Sequence, residues 1–502
     1  MNKMLKRRFI NIIMIPVLLA VVMMDVRSVK ADTLPYDCYN YDYWENIVFT
    51  PAAYVADGSI TGVDLGINDF SSPQDFCVAD NGKVYIADTG NNRIIVTDTR
   101  FQSVEKIIDS FDNNGVKDTF NKPYSVTVSE KNQLYIADSD NGRVVVLDAD
   151  GNLVRFVQDP KSEILEDDFA FVPKKVTVDY ADRVYVVAQD MFQGIMVFDE
   201  YGQFTGFSGT ISVKLTMAEK IWRKLSTKAQ REKQILFLPI EFSNVDIDAD
   251  GFVYATNHDT DGEQAVRRLN PKGEDVIRKG VNGKISGDLD FQENTTGEDK
   301  GGASVIDDVI VREKGIYSIL DSKRGRIFTY DHEGNLLYIF GGTGNQAGTF
   351  KLPTAIEAST NADGSDEIYV LDSSLKAILK FSATEYGRLI NQAVGYRYDG
   401  DETKAVEVWN EVLKLDSNFE LANTGIGKAY LTSGENKTAM NYLEIGMSRD
   451  YYSVAWKRYR NEYLKENLGY ILTGIIGLII AIILLKKFVL KKNAKKRKRE
   501  RR

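Results

Sequence analysis

The chain has 502 residues, 43% hydrophobic and 27% charged, with 39 Gly and 10 Pro, a composition that implies more than one folded domain and excludes disorder, collagen and a disulfide scaffold. Two His and two Cys cannot furnish the imidazole or thiolate sets of most zinc enzymes, so catalysis would rest on carboxylates or hydroxyls. The net charge of −9 is unevenly spread: residues 1–31 carry six basic side chains against one acidic and residues 468–502 eleven against one, which leaves −24 between them, too acidic for nucleic acid.

At the N-terminus, Lys3, Lys6, Arg7 and Arg8 precede an apolar run from Phe9 to Met24 and then Val29-Lys30-Ala31. This predicts a signal peptide over 1–31, cleaved after Ala31; the run is too short, and too interrupted by Pro16, to favour an uncleaved anchor. The body is then exported, where a bond between Cys38 and Cys77 is permitted but not required.

From residue 46 the chain repeats. VYIADTGNNRIIVTD (84–98), LYIADSDNGRVVVLD (134–148) and VYVVAQDMFQGIMVFD (184–199) place Tyr85, Tyr135 and Tyr185 fifty apart, and weaker copies follow around Tyr254, Tyr317 and Tyr369. Most units open near a Pro (Pro73, Pro123, Pro173, Pro239, Pro353) and contain period-2 strands separated by turns such as Asp150-Gly151 and Asp250-Gly251. A small antiparallel sheet cannot bury both faces alone, so six such units predict a mainly β chain folded as a six-bladed β-propeller over 46–383. Residues 46–65 are expected to supply the strand that the last unit lacks after Phe381, closing the ring. The recurring pairs Asp88/Arg93, Asp138/Arg143 and Asp321/Arg326 read as turn supports rather than as a site.

Function is expected where the repeat breaks. The largest break, 214–238, has a capping-box spacing at Thr216 and Glu219 and apolar residues every fourth position, predicting an amphipathic helix with a basic face. Lys220, Trp222, Arg223, Lys224, Lys228 and Arg231 are its candidate partner-binding residues, for an acidic partner or lipid headgroups; the plainer reading is a solvated helix lying over the ring. In the loop 258–264, Asp259, Asp261 and Glu263 alternate as in a calcium loop without the rest of that motif, and they are the candidate Ca2+ ligands in a chain otherwise expected to hold no cofactor.

After Thr384 the period changes from 2 to 3.6. Tyr396, Gly400, Ala405, Trp409 and Leu413 recur 34 residues later as Tyr430, Gly434, Ala439, Leu443 and Met447, and a helix over 451–467 is expected to cap them with Trp456, Tyr459 and Tyr463 on one face. Leu468 to Leu485 is uncharged and spans about 27 Å as a helix, enough for a bilayer. The basic tail 486–502 then lies in the cytoplasm against anionic lipid, with the propeller outside.

The motifs ADTGNNRI, ADSDNGRV, LDSKRGRI and FGGTGNQAGTFKLP resemble NHL repeats, and the 34-residue period over 388–449 is similar to the tetratricopeptide repeat, making 384–467 a helical stalk or a peptide groove. The whole layout resembles bacterial cell-surface NHL proteins found beside ABC-type transport systems. That resemblance implies a non-catalytic binding or scaffold accessory to a transport or envelope complex, with a membrane protein or another envelope component as partner. Two alternatives stand: a metal-dependent hydrolase of the gluconolactonase type, with Asp88, Asp138, Asp321 and Asp372 as available oxygens, and an extracellular sensor.

Overall fold

The computed structural model describes residues 34–160, 162, 164–165, 169–209, 240–280, 285–289, 302–360 and 366–499. The expected signal segment 1–31 and the expected helical insert 214–238, with Lys220, Trp222, Arg223, Lys224, Lys228 and Arg231, lie outside the described residues. The chain divides into Met1–Pro35 and Tyr36–Arg502, and the second unit holds every element below.

Six antiparallel sheets form in sequence order. Their first strands are Asp75–Ala79, Pro123–Val128, Pro173–Val178, Phe242–Ile247, Ile306–Val311 and Pro353–Thr360. Each first strand contacts the next, and the sixth contacts the first, so the sheets are the blades of a closed six-bladed propeller with these strands innermost. Second strands such as Leu134–Asp138 are buried at every residue, because each blade packs both faces against neighbours; the alternation survives only in outer strands. Five blades have four strands, and blade 4 has three among the described residues.

Blade 6 is built from both ends of the ring. Its strands Pro353–Thr360, Asp366–Asp372 and Ala377–Ala383 are completed by Tyr54–Thr61, the strand expected from 46–65, which pairs antiparallel with Ala377–Ala383. A bulge there sets Asp57 and Gly58 opposite Lys380 alone, and Gly58 takes φ +112°, open only to glycine at low cost. Ahead of this strand, the hairpin Tyr39–Tyr41/Ile47–Phe49 lies along the outer strand of blade 5, with Asn40 Nδ2 donating to the Leu337 carbonyl at 3.2 Å. Cys38 and Cys77 are unbonded thiols; burial pushes Cys38 up to about 11.

Five helices follow: α1 (Glu385–Tyr398), α2 (Glu402–Leu415), α3 (Glu420–Ser433), α4 (Asn436–Ile445) and α5 (Arg449–Arg499). Thr384 caps α1 through Gly387 N and donates its hydroxyl to the Ala52 carbonyl at 2.6 Å, so the first turn is riveted to the propeller. Each helix packs on the next, around Trp409, Ala422, Ala439 and Leu443. The packed face of α5 is Tyr452 and Ala455, with Arg458 donating to the Leu431 carbonyl at 3.1 Å. Trp456 and Tyr463, expected on the capping face, are instead 45% and 53% exposed, because small Ala455 is what fits against α4. Beyond residue 467, α5 continues unbroken, its apolar side chains from Leu468 to Leu490 exposed; it is long and apolar enough to cross a membrane.

Candidate functional site

In five of the inner strands the register slips just after the first residue, at 123/125, 173/175, 242/244, 306/308 and 353/355. Such a bulge re-aims the residue that follows. It brings Ser125, Lys175, Asn244 and Asp308 to the same place in their blades that Asp75 holds in blade 1. An inner strand has no partner on its axial side, so its N–H groups need acceptors there. The preceding blade supplies them: Val126 N donates to Asp75 (3.3 Å), Val176 N to Ser125 (3.0 Å), Val311 N to Asp246 (2.7 Å) and Ile356 N to Asp308 (2.7 Å).

This axis is crowded with carboxylates. Lys175 Nζ reaches Asp75 at 2.8 Å; burial opposes its charge, but Asp75 and Asp308 outweigh that and hold the ammonium above its ordinary value. Burial pushes Asp308 up to about 8 although Lys175 pulls it down, and Asp246 up to about 6. Glu357 is driven well above the usual carboxylate range, by burial first and then by Asp246, Asp308 and Asp75. At neutral pH the axis therefore carries protons as well as charges, which is how several carboxylates share one small space.

The recurring aspartates are staples. Asp88 accepts from Ser71 N (2.7 Å), Asn91 (2.8 Å) and Arg93 Nε (2.7 Å), and Asp138 likewise from Asn121 N, Asn141 and Arg143. Each ties the turn after its second strand to the chain entering its own blade. In that turn Gly142 has φ +63°, and a Cβ would stand 3.1 Å from the Phe171 carbonyl. Blade 5 corrects the pairing expected there: Arg324, not Arg326, is the side chain on Asp321 (3.4 Å), while Arg326, though opposite Asp321 in the strand register, is drawn to Asp288 at 2.7 Å. Asp372 serves three backbone N–H groups, of Lys351, Leu352 and Leu375. A metal-dependent hydrolysis would have to find oxygens elsewhere.

A wide open space lies where the axis emerges among the turns joining first and second strands. There a cleft of about 1400 Å³ opens between blades 5, 6 and 1 and α1. Asn391 of α1 fixes the roof: it donates to Tyr54 Oη (3.1 Å) and Asp366 (2.9 Å) and accepts from Tyr338 Oη (2.8 Å), all around the buried Arg312, whose guanidinium binds Asp366 at 2.7 Å. Glu333 anchors the layer from outside through Lys428 (2.6 Å) and Arg397 (3.5 Å). Within the cleft Lys380 is held by Glu367 (2.7 Å) and Lys314 by Asp399 (3.0 Å). Glu357 forms part of the floor and links the cleft to the axis.

Asp259, Asp261 and Glu263 sit in the hairpin of blade 4, where Asp259 accepts from Gln264 N (2.7 Å) and closes the turn. Among the described residues no group of three or more His, Cys, Asp and Glu is placed to hold a metal ion.

A model of the NHL repeat matches residues 70–98 and 120–147, which are blades 1 and 2 with their lead-in loops. The chain is an NHL-repeat propeller. No curated protein matches it. Solved structures similar to it include virginiamycin B lyase from Staphylococcus aureus (11% identity, 66% of this chain and 100% of that one, TM-score 0.38) and a Bacteroides thetaiotaomicron protein of unknown function (16%, 66% and 73%, 0.41). A third is the extracellular domain of a B. thetaiotaomicron protein described as a hybrid two component system (11%, 64% and 38%, 0.36). In NHL terms, the residues that sequence reading passed over are the axial ones. Aligning repeats at the second residue after Pro73, Pro123 and Pro173 would have exposed Asp75, Ser125 and Lys175, fifty apart.

Proposed function

We propose that this NHL propeller is a membrane-anchored binding module displayed outside the cell, with the cleft under α1 as its ligand-facing site. The observation that carries the reading is the continuity of α5, which is packed into the helical layer at Ala455 and runs without a break into an exposed apolar stretch. A helix with that much apolar surface in water needs a bilayer or a partner to cover it. The rivets at Thr384, Asn391 and Glu333 make α1 a fixed roof, so the cleft is held in one geometry relative to the anchor.

The positive-inside rule puts the tail 486–502 in the cytoplasm, where it contacts anionic lipid, and the resemblance to NHL proteins beside ABC-type transport systems makes a membrane protein or other envelope component the partner. Photo-cross-linking tests this in intact membranes. A benzophenone amino acid at Arg388, in the cleft, is expected to give a reproducible adduct that resists alkaline carbonate washing, whereas one at Glu200, on blade 3, is not. A chain that washes off the membrane, or equal labelling from both positions, would overturn the reading.

A further inference from the structure

The cleft is not evenly matched in charge. Arg312 is engaged by Asp366, Lys314 by Asp399, Lys380 by Glu367 and Arg388 by Glu385, which leaves Arg100 as the lining cation with no carboxylate within 4 Å among the described residues. Asp80, Glu313 and Glu357, which also line it, have no cation within 4 Å among the described residues. Towards the axis Asp75, Asp246 and Asp308 share Lys175 as their cation and part of that group holds protons, so the surplus a ligand meets first is at the rim, on Asp80 and Glu313. A cavity lined by low-dielectric walls and one sign of surplus charge concentrates ligands of the opposite sign.

Size and backbone narrow the class of ligand. About 1400 Å³ exceeds the 300–1,000 Å³ or so that small-molecule sites occupy, and is room for an extended chain. One wall is the outer strand of blade 6 at its bulge, where Asp57 and Gly58 share one partner residue, and a side chain is lacking at Gly58. Close backbone approach is possible there.

We propose that the cleft binds a basic peptide segment of the partner, its Lys or Arg side chains answering Asp80 and Glu313 at the rim and Glu357 on the floor. This rests on the reading of the cleft as the ligand-facing site. The peptide's charge recovers the attraction that the cleft's own cations leave unused, and Glu357 ionises when an ammonium or guanidinium reaches it.

The test uses the full chain in lipid nanodiscs and a labelled ten-residue peptide of alternating Lys and Gly, followed by fluorescence anisotropy at 0.15 M salt. The combined variant Asp80→Asn, Glu313→Gln and Glu357→Gln is expected to weaken binding about tenfold. A control on blades 2 and 3, Glu130→Gln with Glu200→Gln, is expected to stay within about twofold, since it replaces as many exposed carboxylates as Asp80→Asn with Glu313→Gln does, Glu357 holding its proton in the empty cleft. Equal losses in both would mean nonspecific attraction to an acidic body and would overturn the proposal, as would tighter binding of a Glu-Gly peptide or of spermine. If the triple variant melts early, Asp80→Asn with Glu313→Gln, both on exposed turns, carries the test with an expected three- to fivefold loss. A partner cross-linked from Arg388 through a neutral or acidic segment would sink the peptide's charge while leaving the binding module standing.

Discussion

The axis and the cleft hold the same kinds of side chain a few residues apart along the inner strands, yet they use them differently. At the axis, Asp75, Asp246 and Asp308 are occupied by the N–H groups of the next blade and by Lys175. In the cleft, Asp80 and Glu313 lie on turns that need no such acceptor. A carboxylate at a repeat position that faces a neighbouring edge belongs to the ring; one five residues further on, in the turn, as Asp80 is from Asp75 and Glu313 from Asp308, is left over for a ligand.

The largest expected effect comes from breaking the axial pair. Lys175→Met removes the cation from buried Asp75 and is expected to cost about 3–5 kcal/mol in chemical denaturation. A loss below about 1 kcal/mol would mean that Asp75 simply takes a proton, and that the axis is less rigidly charged than its distances suggest. Next is the roof of the cleft. A Cβ at Gly387 would stand 2.2 Å from the Ala53 carbonyl, so Gly387→Val forces α1 off the propeller at a cost of about 1–3 kcal/mol. Limited proteolysis is expected to cut near Thr384 while the propeller stays resistant; unchanged cleavage would show a layer that yields without detaching.

The pH dependence is smaller and separates the two regions directly. Asp308 and Asp246 are raised in the folded chain to about 8 and about 6, from ordinary values near 4. The native state therefore binds more protons than the unfolded one across that interval. Their contribution is present below about pH 4 and is lost as pH rises through 6 and 8. Urea midpoints are expected to fall between pH 5 and 8.5, and Asp308→Asn to flatten the fall; a midpoint that rises over this range would contradict the sign. Least of all, Asp80→Asn with Glu313→Gln is expected to change stability by no more than about 0.5 kcal/mol, because neither carboxylate supports the fold. A larger loss would erase the distinction between the regions.

The blades, the ring closure by residues 54–61 and the apolar helix were all legible, because period and spacing report burial directly. The axial charges were not: Lys175 looks like a surface residue in PKKVTV until the bulge after Pro173 turns it inward. The cleft was invisible for a different reason. It is made by Tyr54, Arg312, Asp366 and Asn391, which only the docking of α1 brings together. The exchange of Arg326 for Arg324 at Asp321 was not legible either, because its cause, the demand of Asp288 and Tyr39 on Arg326, is long-range.

Blade 6 also has a history in time. The strand Tyr54–Thr61 emerges early in synthesis, and its partner Ala377–Ala383 roughly 300 residues later, so the ring stays open through most of translation. During that wait an unpaired edge is exposed. Any factor that shields nascent chains would find its target there, and a truncation before residue 377 would leave five blades with nothing to fasten them.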